Sequence, residues 1–416
     1  MEFIRIVIYA SIYLGLIATT FYIISFSLDS RRKKLIYEDS ELPKVSILIP
    51  AYNEEKTIEA TINSILKSDY PKDRFEVIVI DDGSKDKTLE IAKKFESDKH
   101  PFVRVFTKKN GGKGTALNFG IKHAKGEIVF SMDADTFVMS QSMKNMVRLF
   151  KDPNIMSVTP AMLVKKPESI WQRVQHIEYL LGLFLRKAFA SLNAIFITPG
   201  AFSAYRKSFF DKYGGYDEGN ITEDLEMSMK IQYNGYNIGN CPEAPVYTSI
   251  PKDFKSLIIQ RRRWYFGLLK NSSKYRGLLS RKYGDLGVFV FPIAWISIFF
   301  AVFLATYLFI KTIIKVRDEL IFFANTGFDF QNIFHFNSFF IERALFLFFT
   351  DPVILFIFVF AILLGFYIYY ASKKIGKIAG LVINLPLFFL FFSVLFALWW
   401  IVSIVYFFFA KNVKWR

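Results

Sequence analysis

Two aspartates one residue apart, Asp133 and Asp135, have the types and spacing to do chemistry in this chain. Just beyond a strand, alternate residues can turn two carboxylates toward one hard cation. Mg2+ or Mn2+ prefers such oxygen ligands, with phosphate oxygens completing the shell. The pair would hold a metal on a diphosphate. Lys113 lies in Asn110-Gly111-Gly112-Lys113-Gly114, a glycine-rich turn ahead of an expected helix, where backbone N–H groups and an ammonium could face phosphate. The spacing is not that of a P-loop. Two further acidic segments are Pro50-Ala51-Tyr52-Asn53-Glu54 and Asp81-Asp82-Gly83-Ser84. Asp82 with Gly83, Ser84 and Asp86 could be only a turn and helix N-cap. Three acidic strand ends in one sheet point to a ligand site instead.

The elements that must position these residues follow from hydrophobic period. Residues 45–50 (VSILIP) and 77–80 (VIVI) are short apolar runs rich in β-branched residues, the pattern of strands buried on both faces. Between them, residues 54–66 place Ile58, Ile62, Ile65 and Leu66 at helical spacing, which makes a βαβ unit. A helix over 87–95, a strand over 103–106, a helix near 115–123 and a strand over 128–132 continue the alternation. Such an order predicts an α/β domain with a mostly parallel sheet, whose ligands bind beyond the carboxyl ends of its strands.

Composition says where that domain lives. A mean hydropathy of +0.27 and 18% aromatic residues are too apolar for an ordinary soluble protein. The apolar character is segregated: the 48 Phe crowd the last third, whereas charged residues and Gly dominate from about 43 to 252. Residues 3–28 are long enough to cross about 30 Å of hydrocarbon. They end in Arg31, Arg32, Lys33 and Lys34, the flank of a retained anchor with its C-terminal side inside, rather than of a signal peptide. Three more spans are expected near 286–310, 352–370 and 378–409. Lys373, Lys374 and Lys377 then fall in an inside loop, and Lys411, Lys414 and Arg416 fall outside, against the positive-inside bias. Residues 339–350, with Glu342 and Arg343 and closed by Asp351-Pro352, read as an interfacial helix. The expected segments are therefore an anchor over 1–30, a cytosolic catalytic domain over 43–250, an interfacial region over 251–285 and a membrane region over 286–416.

The net charge of +16 belongs to juxtamembrane clusters, including Arg261, Arg262 and Arg263, and no RNA motif or metal finger accompanies it, so nucleic acid is not the expected partner. Cys241, the only cysteine, allows no internal disulfide, and the four His have no metal-ligand spacing. A reducing, cytosolic setting follows for the catalytic part.

With IPAYNEE, VIDDGSKD, GGKGTALN, SMDADT, ITEDLEMS and QRRRW in that order, the sequence resembles the membrane-bound glycosyltransferases of family two. These share a GT-A nucleotide-sugar fold, Rossmann-like, and include cellulose, chitin, hyaluronan and poly-N-acetylglucosamine synthases. The resemblance implies that Tyr52, Glu54 and Asp82 hold the nucleoside, that Asp133 and Asp135 form the metal and diphosphate site with Mg2+ or Mn2+, and that Asp224 is the general base. On the acceptor side it implies Gly200, Glu223 and Trp264, with Gln260 and Arg263 on the tunnel and the leaving diphosphate. Asp224 alone would be a solvated carboxylate at a helix start, and Arg-Arg-Arg-Trp beside a membrane would be an interfacial anchor. The resemblance further implies a UDP-sugar donor, with UDP-N-acetylglucosamine favoured, and a growing β-linked polysaccharide acceptor at the plasma membrane. The runner-up is a single addition to a polyprenyl phosphate or glycolipid. Amphipathic stretches at 170–192 and 254–269 either join the catalytic domain to the spans or pack on the sheet. Linkage, primer dependence and oligomeric state are not encoded in these motifs.

Overall fold

The computed structural model describes residues 2–29, 41–326, 342, 345–346, 352–375 and 380–409. The strands alternate with helices as the apolar pattern requires. β1 (Val45–Ala51), α2 (Ile58–Leu66), β2 (Phe75–Asp81), α3 (Thr88–Lys93), β3 (Val103–Thr107), α4 (Lys113–His123) and β4 (Ile128–Met132) follow the first helix, α1 (Glu2–Asp29). After them come β5 (Thr136–Val138), α5 (Ser142–Val147), β6 (Ile155–Val164), α6 (Ile170–Ser191), β7 (Phe202–Arg206), α7 (Lys207–Tyr213), α8 (Glu223–Tyr233), β8 (Asn237–Thr248), α9 (Phe254–Lys274) and α10 (Phe291–Thr326). Two last helices run over Pro352–Ile375 and Leu381–Phe409.

The eight strands form one sheet in the order β3-β2-β1-β4-β7-β6-β8-β5. The β2–β3, β1–β2, β1–β4 and β6–β8 ladders are parallel, and β7 runs antiparallel to both β4 and β6. Side chains alternate across the sheet. Ile47, Ile49, Val77 and Val79 point into one core under α2 and α5, while Leu48, Ile78 and Ile80 point into the other under α4, α7 and α8. Each such buried aliphatic side chain contributes roughly 1.5–3 kcal/mol. The chain leaves β1 toward β2 and β3 on one side and returns with β4 on the other. The ends of β1 and β4 therefore flank the crevice where the strand order reverses, the usual place for a ligand in an open α/β sheet.

α6 is amphipathic and does both of the things its sequence left open. Val174, Ile177 and Leu180 join Leu163 of β6 in a cluster that also takes Phe388, Leu395 and Trp399 of the last helix. The other end stacks Phe184 on Tyr367, with ring centroids 4.1 Å apart, and meets Tyr22 of α1 edge-on through Phe189. α9 packs on the last helix through Tyr265, stacked 4.6 Å from Trp400.

Among the described residues three helices are long and apolar enough to cross a membrane: Glu2–Ser25, Leu286–Asn325 and Leu381–Phe409. Large apolar side chains such as Phe3, Tyr13, Val382, Leu390 and Phe409 stand on their outer faces, a surface that water does not tolerate in bulk. The expected span at 352–370 lies within the helix Pro352–Ile375, whose described apolar stretch, Phe358–Tyr369, is shorter than a span. The expected end at 310 is not observed. The Leu286–Asn325 run holds 40 residues, about 60 Å at helical rise, and continues through Lys311, Lys315, Arg317, Asp318 and Glu319. No Gly or Pro stands between 293 and 326 to stop it, and Lys, Arg and Glu are good helix formers. Arg31 to Lys34, the terminal Lys411, Lys414 and Arg416, and nearly all of the expected interfacial helix at 339–350 lie outside the described residues.

Candidate active site

At the end of β4 the backbone turns so that both aspartates emerge beside the crevice. The turn is pinned from three sides: Thr61 of α2 donates from Oγ1 to the Ala134 carbonyl at 2.8 Å, the Thr136 N–H returns to the Asp133 carbonyl, and the Asp133 N–H reaches the Ala201 carbonyl. Lys113, the first residue of α4, sets Nζ 2.6 Å from Asp133 Oδ1 and 3.1 Å from Glu223 Oε1. Burial alone would lower the Lys113 pKa, but the Asp133, Glu223 and Asp224 carboxylates outweigh it and raise it above the usual lysine value.

Gly200 is the hub of this group. A Cβ there would stand 2.5 Å from Lys113 Nζ, 3.0 Å from Asp224 Oδ2 and 3.7 Å from Asp133 Oδ2. Only a residue without a side chain lets the lysine and the two aspartates, one from α8 and one from the β4 turn, share the space. Burial raises the pKa of Glu223, with Asp224 adding to the rise and Lys113 opposing it. The Thr198 hydroxyl donates to the Asp224 carbonyl at 2.9 Å, and Ser228 donates to the Phe196 carbonyl, so the segment before Gly200 is fastened to the first turns of α8.

Asp135 is in a different state. Burial first, then the neighbouring Asp133 and Glu54 carboxylates, push its pKa up to about 7. An excess of carboxylate over cation at this point suits a hard divalent ion. Among the described residues no three carboxylate, imidazole or thiol side chains enclose a metal by themselves, so an ion held by Asp133 and Asp135 would need oxygens from a ligand.

The residues expected on the nucleoside side line the neighbouring strand ends. Asn53 takes φ 57° and interlocks with the loop after β2: its N–H donates to Ser84 Oγ, and its Oδ1 accepts the Lys85 N–H at 2.8 Å. Glu54 accepts from Thr57 Oγ1 at 2.8 Å, and Tyr52 lies half-buried beside it. The Asp82 carboxylate is engaged by the glycine turn, accepting from the Gly111 and Gly112 N–H groups, and it pairs with Lys108 Nζ at 2.6 Å. Lys108 escaped the sequence reading, because one of two adjacent lysines ahead of a glycine pair carries no periodic or motif signal.

Gln260, Arg263, Trp264, Gly267 and Asn271 share one face of α9. Gly267 sits directly against the Thr222 side chain, and Asn271 Nδ2 donates to Thr222 Oγ1 at 3.0 Å, which docks that face on the turn leading into Glu223 and Asp224. Gln260 Oε1 is shut off from solvent and has no hydrogen-bond donor among the described residues. Arg263 is half-buried. Trp264 packs with Val164, Tyr179 and Ile250. The buried arginine of the triplet is Arg261, which the sequence marked only as membrane-flanking. It pairs with Glu178 at 2.8 Å, and its guanidinium lies 4.2 Å from the Trp264 ring and 5.1 Å from that of Trp399. Its signal was a glutamate on the apolar stripe of α6, readable only once α6 and α9 are known to touch.

Residues 46–214 match the model of Glycosyl transferase family 2. The chain is 35% identical over 241 residues to a poly-beta-1,6-N-acetyl-D-glucosamine synthase of Staphylococcus aureus (strain COL), which is 57% of this chain and 58% of that protein. It is 34% identical over 233 residues to the synthase of the same name from Staphylococcus epidermidis, 55% of this chain and 56% of that one. The chain thus matches little more than half the length of these relatives. In fold it is similar to a mannosyltransferase from Pyrobaculum calidifontis solved with GDP-Man and Mn2+, at TM-score 0.53 and 20% identity, covering 88% of this chain and 98% of that one. The sheet and its helices have the GT-A arrangement.

Proposed function

From a chain that carries a glycosyl transferase family 2 domain over residues 46–214, we propose a membrane enzyme that moves a sugar from a UDP-sugar to a β-linked polysaccharide. UDP-N-acetylglucosamine is the favoured donor, because the curated relatives are named for a polymer of that sugar. The observation that carries the reading is the meeting of Asp224, Asp133 and Lys113 around Gly200.

Asp224 takes the proton of the acceptor hydroxyl as that oxygen attacks C1 of the donor sugar. The bond from C1 to the diphosphate oxygen breaks on the opposite face, and UDP leaves with the bonding pair. One such attack inverts the anomeric centre, so an α-linked donor gives a β-linked product. Lys113, Gln260 and Arg263 face the diphosphate, the guanidinium being able to donate paired hydrogen bonds to its oxygens. A bound Mg2+ or Mn2+, held by Asp133 and Asp135, would neutralise the charge that develops on the departing group. Tyr52 and Glu54 hold the nucleoside together with Asp82, which acts through the glycine turn it shapes. Gly200, Glu223 and Trp264 form the acceptor side.

The same reading divides the chain into an anchor over 1–30, a cytosolic catalytic domain over 43–250, an interfacial region over 251–285 and a membrane region over 286–416, so that the polymer is extended processively and exported past the spans. The test is to incubate the purified chain with a panel of radiolabelled UDP-sugars and Mg2+ or Mn2+ and to size the product. Long polymer from one UDP-sugar is expected, and Asp224→Asn should lower turnover by roughly 10²–10⁴-fold with UDP affinity unchanged. Transfer of a single sugar refutes processivity, and parent-like turnover of the variant refutes the assignment of the base.

A further inference from the structure

Asp224 opens α8, and the first turn of that helix leans on residues 194–199, which run between α6 and β7 without belonging to a helix or strand. A stretch with no ladder of its own is held by side chains. Three hydroxyls fasten this one: Ser228 donates to the Phe196 carbonyl, Ser203 to the Pro199 carbonyl at 2.6 Å, and Thr198 to the Asp224 carbonyl at 2.9 Å. Only the Thr198 bond ends on Asp224 itself. Gly200, two residues on, is the place where the Asp224 carboxylate comes closest to this segment.

Thr198 has a second partner, the Tyr205 hydroxyl, 3.3 Å from its Oγ1. Both residues are 1% exposed, so water is not an alternative for either. A threonine hydroxyl carries one hydrogen, and here it is spent on the Asp224 carbonyl, so the phenol must be the donor to Thr198. The bonds therefore run one way, from Tyr205 through Thr198 to Asp224. Tyr205 is the rigid end: it lies in β7, paired with Val129 of β4 on one side and Ser157 of β6 on the other, and its ring is wedged by Phe210 and edge-on by Tyr216.

We infer that Tyr205 is a positioning residue for the transfer step: through Thr198 it carries the rigidity of the sheet to Asp224 and fixes where that carboxylate stands beside Gly200. Tyr205 touches no substrate in this role. The inference rests on the proposed reading of Asp224 as the base for its consequence in catalysis, and on the hydroxyl chain alone for its consequence in structure. The two parts can be tested apart.

The full chain in nanodiscs is assayed for UDP release from UDP-N-acetylglucosamine with Mn2+, and UDP binding is measured by calorimetry. Thr198→Val, which keeps the shape and removes the hydroxyl, should lower kcat roughly tenfold, and Tyr205→Phe roughly threefold, the range expected for single buried hydrogen bonds. KM and UDP affinity should stay within about twofold, and Thr198→Ser should restore most of the parent kcat. The double variant should be no slower than Thr198→Val, because both changes break one chain. Hydrogen exchange gives a readout without turnover: amides of 196–200 and 224–228 should exchange faster in Tyr205→Phe, and those of β4 and β6 should not. Unchanged kcat and exchange in Tyr205→Phe overturn the proposal, as do losses that multiply in the double variant. A general fall in melting temperature with KM and kcat both altered marks Tyr205 as structural only. Local loosening in a chain that transfers no sugar would sink the transferase reading and leave the hydroxyl chain standing. An Asp224→Asn variant that loses turnover beside a parent-like Tyr205→Phe would do the reverse.

Discussion

Asp82 and Asp135 both stand just past the carboxyl end of a parallel strand, and their carboxylates live under opposite conditions. Asp82 accepts from two glycine N–H groups and pairs with Lys108, so its lone pairs are spoken for. Asp135 is half-buried beside Asp133 and Glu54, and its pKa rises to about 7. Donor supply, not residue type or position on the strand, separates a brace from a place where charge is wanted. Asp82 shapes the turn that carries Lys113, and the Asp135 end is built to be completed from outside.

Four substitutions can break or sharpen that contrast. The largest loss should come from Lys113→Met, which strips the ammonium from Asp133, Glu223 and Asp224 together. Removing one partner from a buried ion pair costs about 3 kcal/mol or more, and Glu223 is buried. Chemical denaturation should show that loss, part of it restored by Mn2+; a change under about 1 kcal/mol would mean that the three carboxylates do not depend on the lysine. Asp82→Ala should come next, at about 1–3 kcal/mol, because hydrogen bonds to a charged carboxylate are lost. The loss should be the same with and without divalent metal, and a metal-dependent loss would erase the distinction drawn here.

Asp135→Asn should do the opposite. In chelator the variant should melt at the parent temperature or slightly above it, since like charge has been relieved, while the upward shift on adding Mn2+ should shrink or vanish. A variant that melts low in chelator would put Asp135 in the same class as Asp82. The smallest effect is remote from both strand ends. Burial lowers the His176 pKa, and Asn384 Nδ2 lies 3.1 Å from its Nδ1 while Asn384 Oδ1 faces Arg173. A histidine whose folded pKa is depressed contributes stability above its unfolded value, about 6.5, and that stability is lost as pH falls through the folded value. Stability should therefore drop on acidification below neutrality, and His176→Gln should flatten that limb by under about 1 kcal/mol. An unchanged acid limb would remove His176 from the account.

The strands were readable because continuous β-branched runs flanked by acidic turns have few other uses, and residues 128–132 were expected and found as a strand. Helix starts were less visible. α2 begins at Ile58, not at 54; the residues before it follow the left-handed turn at Asn53 and are tied by the Glu54 and Glu55 N–H groups to Thr88 and Asp86. The spacing of Asp133, Asp135 and Lys113 could be read locally, and the structure brings Asp133 and Lys113 together. The Lys108–Asp82 and Arg261–Glu178 pairs could not be read, because each joins residues 26 or more apart whose contact is decided by tertiary packing.

On the proposed reading, the bare contact between Gly267 and Thr222 would also link catalysis to the thickness of the bilayer. With no side chain as a cushion, movement of α9 reaches the turn that carries Asp224, and α9 leans on a last helix of 29 residues, about 44 Å long. A helix longer than the hydrocarbon layer adjusts by tilting. Lipids with shorter or longer chains should then retune the distance between base and acceptor, so that turnover in nanodiscs varies with acyl length while UDP affinity does not. Turnover that is flat across chain lengths would show that the contact is mechanically silent.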